Sequence, residues 1–548
     1  MFPGIKTSGK YQYVQIVENG RVDGKHRQRV IATLGRLDLL TESGQLDELT
    51  CRMARLCNEV QIVSAHREGS IQSKAVRRIG PALVFQRLWQ ALGIDRVLNG
   101  LLARRGFGFA VERAVFLTVL HRLFDPGSDR AAEQWREDYR IAGVEGLALH
   151  HLYRAMGWLG EPLPEHEQPG KTPFAPRCIK DLVEEALFER HRDLFTDLDV
   201  VFFDTTSIYF EGEGGETLGR RGNSKDHRPD LKQMVVGVIL DGEGRPVCCE
   251  MWPGNTTDVK TLIPIVERLR ERFRIGTVCV VADRGMISAS TIKTLEGMEG
   301  LTYILGARMR RQKEVKEDVL GRGGRYHEVY AKSDDPKAPS PLKVKEVFVG
   351  NRRYIVCHNE DQAKKDAADR EAILAHLRDQ LKQGDKSLVG NKGYPKYLKT
   401  DGPRFSIDEA RIQAEARCDG KWVLRTNTQL SPTDTALKYK QLWMVEQVFR
   451  TTKSILDTRP IYHKCDETIR GHVFCSFLAL MLKNELYERL ERKGRQFEWN
   501  DIRRDLEALQ ETELEIGDQS YFLRTEFRGT CHEVMRAAGA ATPPTLRQ

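Results

Sequence analysis

The pattern of apolar and polar positions changes along the chain and predicts several regions. In residues 11–40, apolar and polar residues alternate on both sides of a turn-forming segment at 20–24. This alternation predicts a β-hairpin within an N-terminal region, 1–60. Between 75 and 192 the apolar positions recur at helical spacing, and Ser128 stands where a helix N-cap is expected. A hairpin region followed by a helical region is therefore expected.

The apolar period changes again after residue 199. Residues 200–203 form an unbroken apolar run that is typical of a strand buried on both faces, and the run ends in Asp204. Two more strand candidates are followed by a helix, a strand that ends in Asp283, another helix and another strand. This order predicts a mixed α/β layer structure.

The remaining segments complete the predicted fold class, a multidomain α/β protein. Residues 309–431 break the regular order and are interpreted as a β-rich insertion domain between two parts of one core, 195–308 and 432–490. The spacing predicts a single helix that begins near 432 and ends near 455. Residues 491–548 are expected to form a C-terminal helical region and tail.

Composition and charge narrow the class of protein. Charged residues make up 30% and apolar residues 40%, which excludes a disordered chain. The 86 Lys and Arg against 78 Asp and Glu give a net charge of +8, which weakly favours a polyanionic partner such as nucleic acid. The longest apolar run, 473–482, is too short to cross a bilayer. The 11 scattered cysteines lack a C-x-x-C pair, so reduced thiols in a cytosol are expected, with neither a disulfide framework nor a zinc site.

Two of the predicted buried strands end in an aspartate, Asp204 and Asp283. Ligand groups gather at the exit ends of strands in α/β sheets, although a single such residue is more often a loop or capping residue. Carboxylates that are brought together repel each other unless a cation or a shared proton compensates. Their hard oxygens suit Mg²⁺ or Mn²⁺, so the pair suggests a metal site.

A third carboxylate, Glu446, lies in the predicted helix near the end of the core. Tyr439, Leu442, Glu446 and Lys453 are spaced by three, four and seven residues, which places them on one stripe of a continuous helix. Without further context, such a stripe is more often a solvated face that carries an acid and a base.

These residues resemble the motif of a DDE transposase of a bacterial insertion sequence, from the group with a Y-x2-R-x3-E-x6-K signature. Tyr439, Glu446 and Lys453 match the signature at its spacing, whereas Leu442 stands at its Arg position. Four more segments are similar to that group: FDTTS at 203–207, SKDHRPDLK at 224–232, PGNTTD at 253–258 and ADRG at 282–285. Several motifs in the right order are more specific than any one of them.

The resemblance implies a ribonuclease H-like core, with Asp204 on its first strand, Asp283 on its fourth and Glu446 on the helix after an insertion. It also implies that these three residues are catalytic and hold two Mg²⁺ ions, for which Mn²⁺ can substitute. One ion would activate the attacking oxygen and the other would stabilise the leaving oxygen. The implied activity is binding of terminal inverted repeats, followed by strand cleavage and strand transfer.

The residues expected to contact DNA surround this trio or lie in the basic loop 220–232. They are Tyr439, Lys453, Arg450, Lys225, Arg228 and Lys232. A solvated basic loop is the alternative for the last three. Trp252 and Trp443 would be able to stack on a displaced base, but burial is the expected role of both. His472 resembles a recurring feature of the group and receives no role.

The expected partners are transposon ends and target DNA, held by a homodimer in a synaptic complex, with no membrane partner. The expected location is the bacterial cytoplasm, in association with the nucleoid. The helical region 75–192 is either a helix-turn-helix that contacts DNA or a structural helical domain. Two other functions are considered, namely a catalytically inactive DNA-binding derivative and a metal-dependent nuclease without joining activity. The intact trio argues against an inactive derivative. A nuclease would use the same three metal ligands, so the sequence does not distinguish it from a transposase.

Overall fold

The computed structural model describes residues 1–22, 25–54, 72–168, 176–191, 200–331, 339–382, 397–401, 404–516 and 519–548. The N-terminal part forms an antiparallel sheet of β1 (Phe2–Ser8), β2 (Tyr11–Val22) and β3 (Lys25–Arg36), with β2 in the middle. The helices α1 (Leu37–Glu42) and α2 (Gln45–Ala54) follow. The expected hairpin corresponds to β2 and β3, and β1 adds a strand that was not predicted. Part of the predicted turn and the end of the region 1–60 lie outside the described residues.

A helical region follows the strand β4 (Gln72–Arg78). Its helices are α3 (Gly80–Leu92), α4 (Ile94–Leu102), α5 (Val111–Phe124), α6 (Asp129–Trp135), α7 (Leu149–Leu159) and α8 (Ile179–His191). The helix α6 begins after Ser128, whose Oγ accepts a hydrogen bond from the backbone N–H of Ala131, as its position predicted. Nearly all residues of α5 are buried, so this helix lies at the centre of the region.

The next segment forms the centre of a large mixed sheet. Its elements are β5 (Val200–Tyr209), β6 (Gln233–Leu240), β7 (Pro246–Pro253), α9 (Leu262–Phe273), β8 (Val278–Ala282), α10 (Ala289–Glu296) and β9 (Leu301–Gly306). The strands lie side by side in the order β7-β6-β5-β8-β9. β5, β6 and β7 are antiparallel neighbours, whereas β8 runs parallel to both β5 and β9. This is the mixed α/β layer that the apolar pattern predicted.

The segment expected to be an insertion extends this sheet. Its elements are β10 (His327–Tyr330), β11 (Leu342–Val349), β12 (Arg352–His358), α11 (Glu360–Lys382), β13 (Leu398–Asp401), β14 (Arg404–Ile407), α12 (Glu409–Ala416) and β15 (Lys421–Thr426). Because β15 pairs with the free edge of β9, the full sheet has nine strands in the order β10-β11-β12-β15-β9-β8-β5-β6-β7. The segment is rich in strands as predicted, but four of them belong to the sheet of the core.

The last part of the chain is more mixed than expected. Its elements are α13 (Pro432–Lys440), α14 (Trp443–Ser454), α15 (Asp466–Arg492), α16 (Trp499–Glu507), β16 (Gln510–Ile516), β17 (Gln519–Arg524), α17 (Cys531–Ala538) and β18 (Leu546–Arg547). The structure corrects the expectation of a helical end over 491–548, because β16 pairs with β17 and with the distant β4 in a sheet of order β18-β17-β16-β4. The alternating sequence QETELEI of β16 carries the period of a strand.

Two hydrophobic clusters cover the two faces of the large sheet. Phe202 and Ile208 of β5 belong to the larger cluster, which also contains the buried residues of α5, α7 and α15. Val201 and Phe203 belong to the second cluster, with residues of α9 and α10. The helical region therefore shares one core with the sheet. None of the helices in the described part of the chain has the length and apolar character needed to span a bilayer.

Candidate active site

Asp204 and Asp283 lie on neighbouring parallel strands in the middle of the large sheet. The pairing of β5 with β8 ends at Phe203 and Ala282, so the two aspartates are the next residue on each strand. Neighbouring strands are about 4.8 Å apart. Asp283 directly follows β8 as predicted. Asp204 does not end its strand, because β5 continues to pair with β6 through Asp204 and Val238.

Burial and neighbouring charges change the pKa of the Asp204 carboxyl group. Burial is the main cause that raises the pKa of Asp204 from 3.8 to about 6, and the Asp283 and Asp258 carboxylates act in the same direction. The charge of Lys225 and the backbone N–H of Thr205, which donates to Asp204 Oδ1 over 2.7 Å, lower it. A cation at this position would relieve both the burial penalty and the repulsion.

Asp258 is a further carboxylate at this position, and the sequence assigned it no role. Its Oδ1 accepts a hydrogen bond from Thr205 Oγ1 at 2.7 Å, and its Oδ2 lies 3.2 Å from Lys225 Nζ. A methyl group at Gly285 would lie 3.6 Å from Asp258 Oδ2 and 3.9 Å from Asp283 Oδ2, so both carboxylates flank this glycine. The sequence feature that could have pointed to Asp258 is its place as the acidic last residue of the PGNTTD segment, 253–258.

Tyr439 contacts the carboxylate group directly. Its hydroxyl donates a hydrogen bond to Asp283 Oδ1 over 3.1 Å. Burial is the main cause that raises the pKa of Tyr439, so the phenol stays protonated and remains a donor. A methyl group at Gly306 would collide with this hydroxyl, so the glycine permits the close approach. Tyr439 therefore holds Asp283 in place.

The helix that carries Glu446 is tightened near its start. The prediction of one regular helix is wrong, because hydrogen bonds of the i to i+3 type link Leu442 N to Tyr439 O (3.0 Å), Met444 N to Gln441 O (2.9 Å) and Val445 N to Leu442 O (3.1 Å). Each residue in such a turn advances by about 120° instead of about 100°. Because the turn covers about three residues, the side chains that follow it are rotated about the helix axis by roughly 60° relative to a regular α-helix.

This rotation changes which side chains of α14 face the core. Leu442 and Val445 are buried, whereas Glu446 is exposed and Trp443 is 55% exposed. The single regular helix on which the predicted stripe of Tyr439 and Glu446 rested is therefore not present, and the expected burial of Trp443 is wrong. Among the described residues, no three of the acidic side chains at this site have ligand atoms that all lie within 4.8 Å of one another. The structure places the two aspartates on adjacent strands, but Asp204, Asp283 and Glu446 do not form such a three-membered group.

Lys453 pairs with an acidic residue of the basic loop. Its Nζ lies 2.7 Å from Asp226 Oδ1, and Arg459 pairs with the same carboxylate oxygen. Burial lowers the pKa of Lys453, although the charge of Asp226 acts in the opposite direction. The side chain of Asp226 is only 5% exposed, so this cluster is a largely buried one.

The other residues expected to contact DNA lie at the surface. Arg228 forms an ion pair with Asp230 at 2.9 Å, and Lys232 pairs with Glu213. Arg450 is exposed on α14. We call Asp204, Asp258 and Asp283 the carboxylate cluster. Of the six residues expected to contact DNA, Tyr439 and Lys225 contact this cluster.

Two protein-family models match the chain. Residues 195–482, more than half of the chain, match the model of the transposase DDE domain, and this range contains every carboxylate described above. The chain belongs to the DDE transposases. Residues 5–80 match the model of the IS1634 family transposase N-terminal domain, so the predicted resemblance to a transposase of an insertion sequence is confirmed. A search of curated proteins found no match.

Proposed function

We propose that this transposase binds the terminal inverted repeats of its insertion sequence and performs metal-dependent strand cleavage and strand transfer. The observation that carries the proposal is the position of Asp204 and Asp283, side by side on the central parallel strands of the matched domain. Two copies of the chain are proposed to hold two transposon ends together with the target DNA.

The proposal includes a ribonuclease H-like core. Support comes from the strands β7-β6-β5-β8-β9, in which the first three strands in chain order are antiparallel and the last two are parallel to the first. In this order Asp204 lies on the first strand and Asp283 follows the fourth. The added strands of the insertion enter the chain between β9 and α13, and Glu446 comes after them on α14.

The donor set fits divalent ions with hard ligands. Asp204, Asp283 and Glu446 would hold two Mg²⁺ or Mn²⁺ ions, which would supply activation of the attacking oxygen and stabilisation of the leaving oxygen. The helix α14 packs against β5, and its buried residues share a cluster with Phe202 and Ile208, which lie on the same face of β5 as Asp204.

The protein's own residues prepare this arrangement. Tyr439 orients Asp283 through its hydroxyl, and Lys225 compensates the charges of Asp204 and Asp258. We propose that Lys453 contacts DNA phosphate beside the carboxylates. Phosphate oxygens would then compete with Asp226 for the ammonium group.

The proposed activity is tested with the purified full-length protein, Mg²⁺ and a DNA that carries both ends of its insertion sequence. We expect cleavage at the ends and products in which an end is joined to target DNA. DNA with scrambled ends, chelation of the metal and the variant Asp361→Asn, which changes an exposed residue of α11, are the controls. Cleavage without joining would indicate a nuclease instead. Binding of the ends without cleavage in Mg²⁺ or Mn²⁺ would indicate an inactive DNA-binding derivative.

The variant Tyr439→Phe separates the orienting role of this residue from a phosphate contact. We expect cleavage to slow by about 10–100-fold, because Tyr439 supports a proposed metal ligand, while the affinity for end DNA stays nearly unchanged. Single-turnover cleavage and DNA-binding titrations measure the two effects. Tyr303→Phe is the matched control, since its buried hydroxyl donates to Glu296 outside the site. A loss of DNA affinity at an unchanged cleavage rate would contradict the orienting role.

A further inference from the structure

A second group of potential metal ligands lies outside the carboxylate cluster. Asp129 begins α6, His463 lies between α14 and α15, and His472 lies on α15. In the described ranges these residues form the group of three ligand atoms that all lie within 4.8 Å of one another. Three separate elements of the fold therefore converge on one point.

The separations within the group fit a tetrahedral metal ion. His463 Nε2 lies 3.1 Å from His472 Nδ1 and 3.4 Å from Asp129 Oδ2. Nitrogen and oxygen ligands lie about 2.0–2.1 Å from zinc, so the corners of a zinc tetrahedron are roughly 3.3 Å apart. The two measured separations are close to this value, and the third pair, Asp129 and His472, also lies within 4.8 Å.

The hydrogen bonds of His472 fix its tautomer. His472 Nε2 lies 3.2 Å from the carbonyl oxygen of Thr458, and a carbonyl oxygen only accepts hydrogen bonds. The proton therefore sits on Nε2, so Nδ1 carries a lone pair, and His463 Nε2 lies 3.1 Å from it. Histidines that bind metals commonly donate their other N–H to a carbonyl or carboxylate in this way.

Arg122 competes for the same nitrogen. Its Nη2 lies 2.9 Å from His472 Nδ1, while its Nη1 donates to the His472 carbonyl oxygen over 2.7 Å and to Ser476 Oγ. An ion bound to Nδ1 would displace only the hydrogen bond from Nη2, because Nη1 donates to other atoms, the His472 carbonyl oxygen and Ser476 Oγ. The carboxylate of Asp129 offsets part of the added positive charge.

A cavity gives access to the group. It has a volume of about 650 Å³, and its lining includes all three ligand residues together with Tyr153 and Cys465. Cys465 is exposed. The cavity offers an entry path for an ion and space for water as the fourth ligand.

We propose that Asp129, His463 and His472 bind one transition-metal ion of the zinc type. Imidazole nitrogens favour Zn²⁺, Co²⁺ or Ni²⁺ over Mg²⁺, so the site differs in chemistry from the carboxylate cluster. The ion would fasten the segment after α14 to α6 and α15, and thereby fix the end of the helix that carries Glu446. A search for cysteine pairs cannot detect a site built from histidine and aspartate.

The site is tested by retention of Zn²⁺ in the full-length protein without a histidine tag, dialysed in excess Mg²⁺. We expect one Zn²⁺ per chain, and the visible spectrum of tetrahedral Co²⁺ when Co²⁺ replaces it. His463→Gln and Asp129→Asn are expected to weaken Zn²⁺ binding by more than about 100-fold, beyond the loss caused by residues that only support a ligand. His166→Gln, which changes an exposed histidine outside the group, and Asp204→Asn are expected to retain the ion.

Two outcomes would overturn the proposal. One is a wild-type protein that retains no Zn²⁺, and the other is equal retention by wild type and His463→Gln. If circular dichroism shows that a variant has not folded, the Co²⁺ spectrum of the wild type decides, and an octahedral spectrum refutes the site. Zinc retention is measured without DNA, so neither outcome affects the proposed cleavage and joining.

Discussion

Replacement of Asp204 by Asn is expected to abolish DNA cleavage and to stabilise the metal-free protein. Cleavage should fall by more than about 100-fold, because the variant loses a proposed metal ligand and not merely a residue that supports one. The pKa of Asp204 is raised to about 6, mainly by burial, so ionisation of this residue costs up to about 3 kcal/mol of folding free energy at neutral pH. Asparagine keeps the shape and removes that cost.

The sign of the pH dependence distinguishes this effect from a general change in packing. Between about pH 4 and pH 6 the carboxyl of Asp204 is ionised in the unfolded chain and protonated in the folded one. The free energy of unfolding of the metal-free wild type should therefore fall as the pH rises through this window, and the Asp204→Asn variant should lack this contribution. Urea unfolding at several pH values, with and without Mg²⁺, measures it.

Mg²⁺ should stabilise the wild type and leave Asp204→Asn nearly unchanged, because an ion that binds only the folded state shifts the equilibrium toward it. Asp361→Asn is the matched control, since it removes one exposed carboxylate of α11. Wild-type rates of cleavage by the Asp204→Asn variant would refute its role as a ligand. A variant that is less stable than the wild type without metal would refute the electrostatic cost.

Glu446→Gln is expected to lose cleavage to the same extent with almost no effect on stability. The side chain of Glu446 is exposed and forms no hydrogen bond or ion pair with any residue that the structure describes. The free energy of unfolding should therefore change by less than about 0.5 kcal/mol. Cleavage assays and urea unfolding on the same samples separate the two effects.

Glu371→Gln on α11 is the control, because it removes an equally exposed carboxylate far along the chain from the trio. Full cleavage by Glu446→Gln would show that another carboxylate completes the site, and Asp258, which flanks Gly285 together with Asp283, is the candidate. A large loss of stability would show that Glu446 is held by contacts in the folded protein.

The apolar pattern was sufficient to predict the central sheet and the position of Asp283. The pattern does not show that the strand continues past Asp204, because the residues that follow it, Thr205, Thr206 and Ser207, are polar. They are buried in the structure, since β5 continues to pair with β6 beyond the end of its contact with β8. Which strand a segment pairs with is a property of the tertiary structure, and periodicity does not report it.

The spacing of residues could also not predict which side chains of α14 face the core. The spacing predicts a regular helix from Tyr439 to Lys453, but a short tightened turn at Leu442 shifts the later residues around the axis. Leu442 itself is buried in the larger cluster, which accounts for an apolar residue where similar transposases carry Arg. The partnership of Lys453 with Asp226 joins residues that are distant in sequence, and only the fold reveals it.

The pairing of β4 with β16 has a consequence for synthesis of the protein. β4 (Gln72–Arg78) leaves the ribosome long before its only partner strand in the described sheet, β16 (Gln510–Ile516), has been made. Contacts over such separations form slowly, and an unpaired edge invites association with other chains. In the nascent chain β4 must therefore stay unpaired until β16 has been made. C-terminal truncations that remove β16 are expected to aggregate instead of yielding a smaller folded enzyme.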